Sequence, residues 1–533
     1  MDGTYEMIRS IEPNVAEVSS FRPTEEQEHI LTAVGDMQGP SVLVEAGAGC
    51  AKTSTLTLAS ERVRVPGLAI AFNKRIADEL GKRLPANFNC RTMNGLGHSA
   101  WARARQLKPQ QLRVDDKKQG KLITEMAKAH KSQISGDLWD FARILFREAQ
   151  IQGLVPAPMN QQFGTLVPDT EEGWRSLSHQ VTIDDDDFEL VWEIARDALI
   201  EDIKLAYQGI ISYDDQIYCS VLLGGVFSQY PIVFVDEDQD LSPLQIRMIK
   251  RSLGRDSRIL AVGDKCQSIY AFRGAVGEAA EQIRELRDSW IDLPLMTSFR
   301  VPKLVADRQR DHVPAFRAFG GNPDGRIHTM TNDIDGWHWE GLTNVLPEWP
   351  SEVAILCRNN APLLSMAFKL IRQGIGCHVL GRDISKGLKA LTKKICPDDA
   401  TVADTVRGRI TEWLNMQLSK ASDDDAEISE KYNDKAESIL AILESSEAKD
   451  AGQLRRQIDR LFDRDSGVVT LSTIHKAKGL EWPSVIHLDP FRVPSFRAVK
   501  QGGRALEQEK NLKYVCETRT KHTLINANLE GFQ

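Results

Sequence analysis

The stretch VLVEAGAGCAKTSTLT, residues Val42 to Thr57, decides how the rest of the chain is read. Val42, Leu43 and Val44 form an apolar run suited to a buried strand. Ala46-Gly47-Ala48-Gly49-Cys50-Ala51 form a tight loop of small residues, and Lys52 opens a helix. Strand, loop and helix in that order are the setting of a phosphate-binding loop. Small residues let consecutive backbone N–H groups turn towards a polyphosphate, and the helix N-terminus adds its positive end. Lys52 supplies a mobile cation and Thr53 a hydroxyl for Mg²⁺, so each part answers to one feature of MgATP. Ala46 and Ala51 stand where the G-x-x-x-x-G-K-[ST] pattern has glycine. A methyl group is tolerated there if φ is negative and is costly where the backbone needs φ above zero. An Ala/Gly turn that merely feeds a helix stays open until a matching carboxylate is found.

That carboxylate lies far along the chain. Ile232-Val233-Phe234-Val235 reads as a buried strand and ends in Asp236-Glu237-Asp238-Gln239-Asp240. Phosphoryl transfer needs one acid to hold Mg²⁺ and a second to take a proton from the attacking water, roles that suit Asp236 and Glu237.

At 533 residues the chain is too long for one ordinary core, and two to four domains are expected. Its net charge of −8 announces no nucleic-acid partner, so any such binding has to come from local clusters. Eight scattered cysteines without a C-x-x-C pair fit reduced thiols better than a disulfide framework or a zinc site. No run approaches a membrane span and Met1 to Ser20 has no signal-peptide core, which points to a soluble, cytoplasmic protein without a membrane partner.

Upstream of the loop, Thr24 and Gln27 have capping-box spacing. The Gln27 amide also suits an adenine edge, and the two readings can coexist. Downstream, Gly67 to Phe72 is a second strand followed by Asn73, and Asn89 to Thr92 a third, leading into Asn94. Such alternation argues a parallel sheet with its binding loops at the strand C-terminal ends.

From 101 to 187 the pattern turns helical, with Arg103, Arg105, Lys108, Arg113, Lys117, Lys118 and Lys121 close together. This basic stretch suits either a nucleic-acid backbone or a solvated face. The acidic run Asp184 to Asp187 reads as a solvated loop. Ile259 to Val262 is another buried strand, and beyond it Gln267, Tyr270, Phe272 and Arg273 lie within seven residues. Aromatics interleaved with arginine are what single-stranded nucleic acid uses, although Tyr270 and Phe272 serve equally as core rings. A second alternating region holds Thr297-Ser298-Phe299-Arg300 and the strand Val353 to Cys357. It breaks for a polar helical stretch at 384–465 and resumes with Val468 to Thr473, His475, Glu481 and Arg519. The expected division is 1–100 with 188–290 around the phosphate loop, 291–383 with 466–533 as a second sheet domain, and helical inserts at 101–187 and 384–465.

Six segments occur in one order: AGAGCAKT, VDEDQD, VGDKCQSIYAFRGA, TSFR, TIHKAKGLEW and YVCETRT. Together they resemble superfamily 1 helicases of the UvrD/Rep type, nearest the F-box-helicase-like and phage branch. The resemblance implies an α/β fold of two RecA-like P-loop domains, each interrupted by a helical insert, that uses ATP and Mg²⁺ to move 3′ to 5′ along single-stranded DNA. It implies single/double-strand junctions as substrates, replication or recombination proteins as partners, and a bacterial or phage-infected cell as the setting. Residue by residue, it implies that Gln27 reads adenine, that the loop Ala46 to Ala51 with Lys52, Thr53 and Ser54 holds the phosphates, and that Thr53 and Asp236 hold the metal. Glu237 is then the base, Gln267 the γ-phosphate sensor, Phe299 the adenine stack, and Arg300 and Arg519 the arginine fingers. Glu481 links nucleotide to DNA. Phe72, Asn73, Asn94, Tyr270, Phe272, Arg273 and His475 match strand contacts. Ser54 replaces an arginine common in that family and Asn94 a histidine.

Overall fold

The computed structural model describes residues 22–71, 73–130, 136–178, 185–269, 279–330, 342, 345–346, 349–420, 426–462 and 468–532. Two six-stranded sheets organise the chain. The first contains β1 (Ser41–Ala46), β2 (Gly67–Ala71), β3 (Phe88–Thr92), β4 (Tyr230–Asp236), β5 (Leu253–Gly263) and β6 (Trp290–Leu295). Their order is β3-β2-β4-β5-β1-β6, and every pairing is parallel. The second contains β7 (Arg326–Met330), β8 (Val353–Cys357), β9 (Cys377–Val379), β10 (Val469–Thr473), β11 (Trp482–Leu488) and β12 (Thr520–Ala527). Their order is β7-β12-β11-β8-β10-β9, again all parallel. A parallel sheet is covered on both faces, so its inner strands read as unbroken apolar runs. All five residues of β2, β8 and β10 are accordingly buried.

The first sheet takes its sixth strand from Trp290–Leu295, which the sequence reading split at 290/291. That edge strand is half exposed and contains Asp292 and Pro294, so it carries no buried-strand pattern. The helical stretch between β3 and β4 also reaches further than 101–187. It includes α4 (Met93–Ala104), α5 (Lys118–Ala129), α6 (Gly136–Gln152), α7 (Asp185–Tyr207) and α8 (Tyr213–Leu222), preceded in the chain by α1 (Glu25–Gly35), α2 (Lys52–Glu61) and α3 (Lys74–Arg83). Asp185 to Asp187 begin α7 rather than a loop, and Asp184 lies outside the described residues. The apolar side of α7 joins Trp101, Phe146 and Trp174 in one core.

The basic stretch is only partly a free face. Lys118 is buried against Asp202 and Asp215, and the Arg105 guanidinium lies over the rings of Trp101 and Tyr207. Between β9 and β10 run α9 (Arg382–Ile395), α10 (Ala403–Lys420), α11 (Ala426–Ser445) and α12 (Ala451–Leu461). Among the described residues no helix is long and apolar enough to cross a membrane.

One apolar cluster joins the two halves. It runs from Val42 and Leu260 through Val301 and Phe316 to Leu356, Leu512 and Val515. The C-terminal ends of β4, β5 and β1 therefore open onto the second half of the chain.

Candidate nucleotide site

The loop after β1 is clamped by the segment Leu295 to Arg300. Gly47 N donates to Leu295 O at 2.9 Å, Phe299 N to Gly49 O at 2.9 Å, and Ser298 Oγ to Ala48 O at 2.7 Å. Gly49 has φ +72°, and a methyl group built there would lie 2.7 Å from Arg300 Cβ and 3.1 Å from Arg300 Nε. Only glycine permits both the turn and that approach.

Ala51 has φ 57° and ψ 38°, whereas Ala46 closes its strand without positive φ. Of the two alanines at glycine positions, Ala51 is the strained one. Ala51→Gly is expected to stabilise the chain by about 1 kcal/mol. A urea midpoint that fails to rise would show that this left-handed residue carries no such strain.

Lys52 Nζ lies 3.3 Å from Glu237 Oε1. Burial opposes the Lys52 charge, yet Glu237, Asp264 and Asp236 hold the ammonium above its ordinary range. The two adjacent carboxylates are driven apart. Burial and the neighbouring Glu237 push Asp236 up to about 7. Burial works against the charge of Glu237 too, but Lys52, a Gln239 hydrogen bond and Lys478 bring it below the usual carboxylate range.

Glu237 sits at φ 54°, and its Oε2 accepts from Gln239 Nε2 at 2.6 Å. Gln239 Oε1 in turn accepts from Asp264 N at 2.9 Å. Gly263 makes room for this bridge, since a Cβ there would fall 2.6 Å from Gln239 Oε1. Gln267 lies on the same edge, and its Nε2 donates to Asp264 Oδ2 at 2.6 Å.

Two arginines close the site. Arg300 Nη1 donates to Glu481 Oε2 at 3.2 Å, while its Nε and Nη2 are buried and bond to none of the described residues. Glu481 also pairs with Lys521 at 2.6 Å. Arg519 is 1% exposed and donates to Val515 O at 2.9 Å, to Leu480 O at 3.3 Å and to Thr518 Oγ1 at 3.2 Å. Burial, followed by repulsion from Arg300, pushes Arg519 down to about 9. Neighbouring buried guanidiniums of this kind favour an anion between them.

Other expected residues are placed less directly. Gln27 is buried, with Oε1 accepting from Thr24 N at 3.0 Å and Nε2 donating to Thr55 Oγ1 at 3.0 Å, so both ends of its amide are engaged within the fold. Phe299 packs on Phe319 with ring centroids 5.0 Å apart. Thr53 and Ser54 lie in the first turn of α2, behind Cys50 and Ala51. Asn73 caps α3 by accepting from Ile76 N at 2.9 Å, and Asn94 Nδ2 donates to Tyr213 O at 2.8 Å. His475 is half-buried in the turn Ile474–Ala477. Phe72, Tyr270, Phe272, Arg273 and the Met1 to Ser20 lead-in lie outside the described residues.

The residues that sequence reasoning missed are Gln239, Lys478 and Tyr514. Lys478 Nζ donates to Asp240 Oδ2 and to Gln267 O, each at 2.6 Å. Tyr514 Oη accepts from Ala48 N at 2.8 Å. Each stood inside a quoted motif, and only the contact across the sequence gives it a use.

Residues 24–286 match the family of the UvrD/REP helicase N-terminal domain, and residues 390–529 that of the UvrD-like helicase C-terminal domain. The chain belongs to the UvrD-like helicases. The two parallel sheets with their flanking helices are accordingly RecA-like.

Among UvrD-like relatives, F-box DNA helicase protein 1 of Schizosaccharomyces pombe is 25% identical over 571 aligned residues, covering 98% of this chain and 59% of the relative. ATP-dependent DNA helicase UvrD2 of Mycobacterium tuberculosis is 26% identical over 557, covering 91% and 76%. F-box DNA helicase 1 of Gallus gallus is 25% identical over 559, covering 95% and 49%. The chain thus spans about half to three quarters of the length of these relatives.

Proposed function

We propose that this chain is an ATP-dependent DNA helicase that moves 3′ to 5′ on single-stranded DNA and opens duplex at single/double-strand junctions. The observation that carries the reading is the pair Arg300 and Arg519 beside the phosphate loop, Arg519 buried and Arg300 with two buried donors unbonded among the described residues. The division in this reading is two sheet domains, with the stretches around 101–187 and 384–465 as helical inserts. It acts as a soluble protein inside a bacterial or phage-infected cell, beside replication or recombination proteins.

The donor chemistry fits a hard divalent cation, because crowding of Asp236 by Glu237 is relieved by positive charge. Thr53 and Asp236 would hold Mg²⁺, which takes few protein ligands and supplies charge neutralisation on the phosphates when bound. Lys52 and the N–H groups where the loop enters α2 hold the phosphates, since Gly47 N and Ala48 N are engaged within the fold. Glu237, oriented by Gln239, accepts the proton of the attacking water. Arg300 and Arg519 stabilise the charge that develops on the transferred group. Phe299 stacks on adenine, and Gln27 reads its edge with the donor and acceptor capacity that its bonds to Thr55 and Thr24 leave.

Strand contacts fall to Phe72, Asn73, Asn94, Tyr270, Phe272, Arg273 and His475, with Glu481 between them and the nucleotide. Closure and opening of the two halves over each ATP then alternates the grip on DNA.

Steady-state ATP hydrolysis tests this reading. Hydrolysis by the wild type is expected to rise strongly with single-stranded DNA, and Lys52→Ala is expected to remove about 2 to 4 decades of the stimulated rate. Equal rates with and without DNA would overturn the motor reading. A translocase that strips proteins without unwinding is the second reading. It is favoured by the modest second insert, α9 to α12, and strand displacement measured beside protein displacement separates the two.

A further inference from the structure

The helix α13 (Gly503–Glu517), which leads into Arg519, also grips the loop that carries Gln267. Asn511 Nδ2 donates to Lys265 O and to Ser268 O, each at 3.3 Å, so it holds both ends of the turn around Gln267. One turn later on the helix, the Tyr514 hydroxyl accepts from Ala48 N in the phosphate loop and points its proton at Asp264 Oδ2, 3.4 Å away. The rings of Phe316 and His312 lie edge-on to the Tyr514 ring at 5.8 Å and 6.1 Å and hold it in place.

Asp264 Oδ2 therefore has two suitors. Gln267 Nε2 holds it at 2.6 Å, whereas the Tyr514 bond is longer than the usual O–H···O separation of about 2.7–2.8 Å. A carboxylate oxygen accepts two hydrogen bonds at once, so both donors share Asp264, and Gln267 Nε2 keeps its second N–H for another acceptor. Tyr514 therefore links Ala48 of the phosphate loop, through Asp264, to Gln267.

We infer that Tyr514 is a positioning residue that, through Asp264, sets the Gln267 side chain against the phosphate loop. One helix then positions both Arg519 and the sensor, and Asn511 fixes the two ends of the Gln267 turn to that helix. The inference rests on the proposed ATP-driven cycle and adds to it the residue through which the helix leading into Arg519 reaches the sensor.

A double-mutant cycle on the full chain tests it, with DNA-stimulated kcat and KM for ATP measured for the wild type, Tyr514→Phe, Gln267→Ala and the double variant. Tyr514→Phe keeps the ring against Phe316 and is expected to lower stimulated kcat about tenfold with KM changed less than about threefold. In the Gln267→Ala background the same substitution is expected to cost nothing more. Losses that multiply in the double variant would overturn the inference, as would full stimulation in Tyr514→Phe. A wild type that hydrolyses no ATP would overturn the proposed cycle and the inference with it, whereas a stimulated wild type with a multiplicative cycle removes the inference alone.

Discussion

Arg300→Ala is expected to lower DNA-stimulated kcat by about a thousandfold or more, as loss of an arginine finger does, while nucleotide affinity changes far less. The asymmetry follows from where the guanidinium stands. Its Nη1 is taken by Glu481 at 3.2 Å, and its Nε and Nη2 are buried beside Gly49 with no partner among the described residues. A buried charged donor without an acceptor is costly, so these two groups favour whatever anion reaches them. Charge on the transferred group is most accessible to them in the transition state, and an interaction gained only there raises kcat rather than lowering KM.

Arg519 strengthens the argument, because Arg300 is close enough to help push it down to about 9. Removing Arg300 also frees Glu481, which keeps Lys521 at 2.6 Å and so need not collapse into the site. Saturating-ATP kinetics with single-stranded DNA give kcat, and fluorescent-nucleotide titration gives affinity. A preserved kcat with a raised KM would make Arg300 a ground-state ligand and end its assignment as a finger.

The sequence made the inner strands legible for a physical reason. β2, β8 and the inner parts of β4 and β5 are covered on both faces and so are written as unbroken apolar runs, and the phosphate loop and the carboxylates follow directly from β1 and β4. The edge strand Trp290–Leu295 was hidden because an edge needs no such run. Ala51 posed a conditional question, and its φ of 57° answers it.

Contacts between distant segments were beyond reach. Tyr514 meets Ala48 and Lys478 meets Asp240 across more than two hundred residues. Lys118 shows the same limit from the other side. Within its neighbourhood it looks like one more surface cation, and its carboxylate partners enter only from α7 and α8.

Those partners make Lys118→Met the substitution with the largest expected effect on stability, a loss of about 3–5 kcal/mol, as for one partner removed from a buried pair. Lys118 is 2% exposed, and Asp202 and Asp215 are 0% exposed. Its Nζ reaches Asp202 O at 2.9 Å and Asp215 Oδ2 at 2.7 Å, and Gln150 Nε2 bridges the two acids at 3.2 Å and 2.6 Å. Burial and the neighbouring Asp215 push Asp202 well up. Burial opposes the charge of Asp215 as well, but Lys118 and bonds involving Asp202 and Ser212 hold it below the carboxylate range.

Methionine fills the lysine's volume and removes the cation that pairs with both acids, leaving them facing each other in an apolar core. Lys118→Met/Asp202→Leu is expected to lose less than Lys118→Met alone, since Asp215 then keeps Gln150 and Ser212 N without a competing carboxylate. Urea midpoints of the two variants decide the point, and an equal or greater loss in the double variant would mean that packing rather than charge holds the cluster. Because α8 runs on into β4, which ends in Asp236, disorder spreading from this cluster reaches the carboxylates directly. Activity of Lys118→Met is therefore expected to fall with the folded fraction, with kcat per folded molecule unchanged.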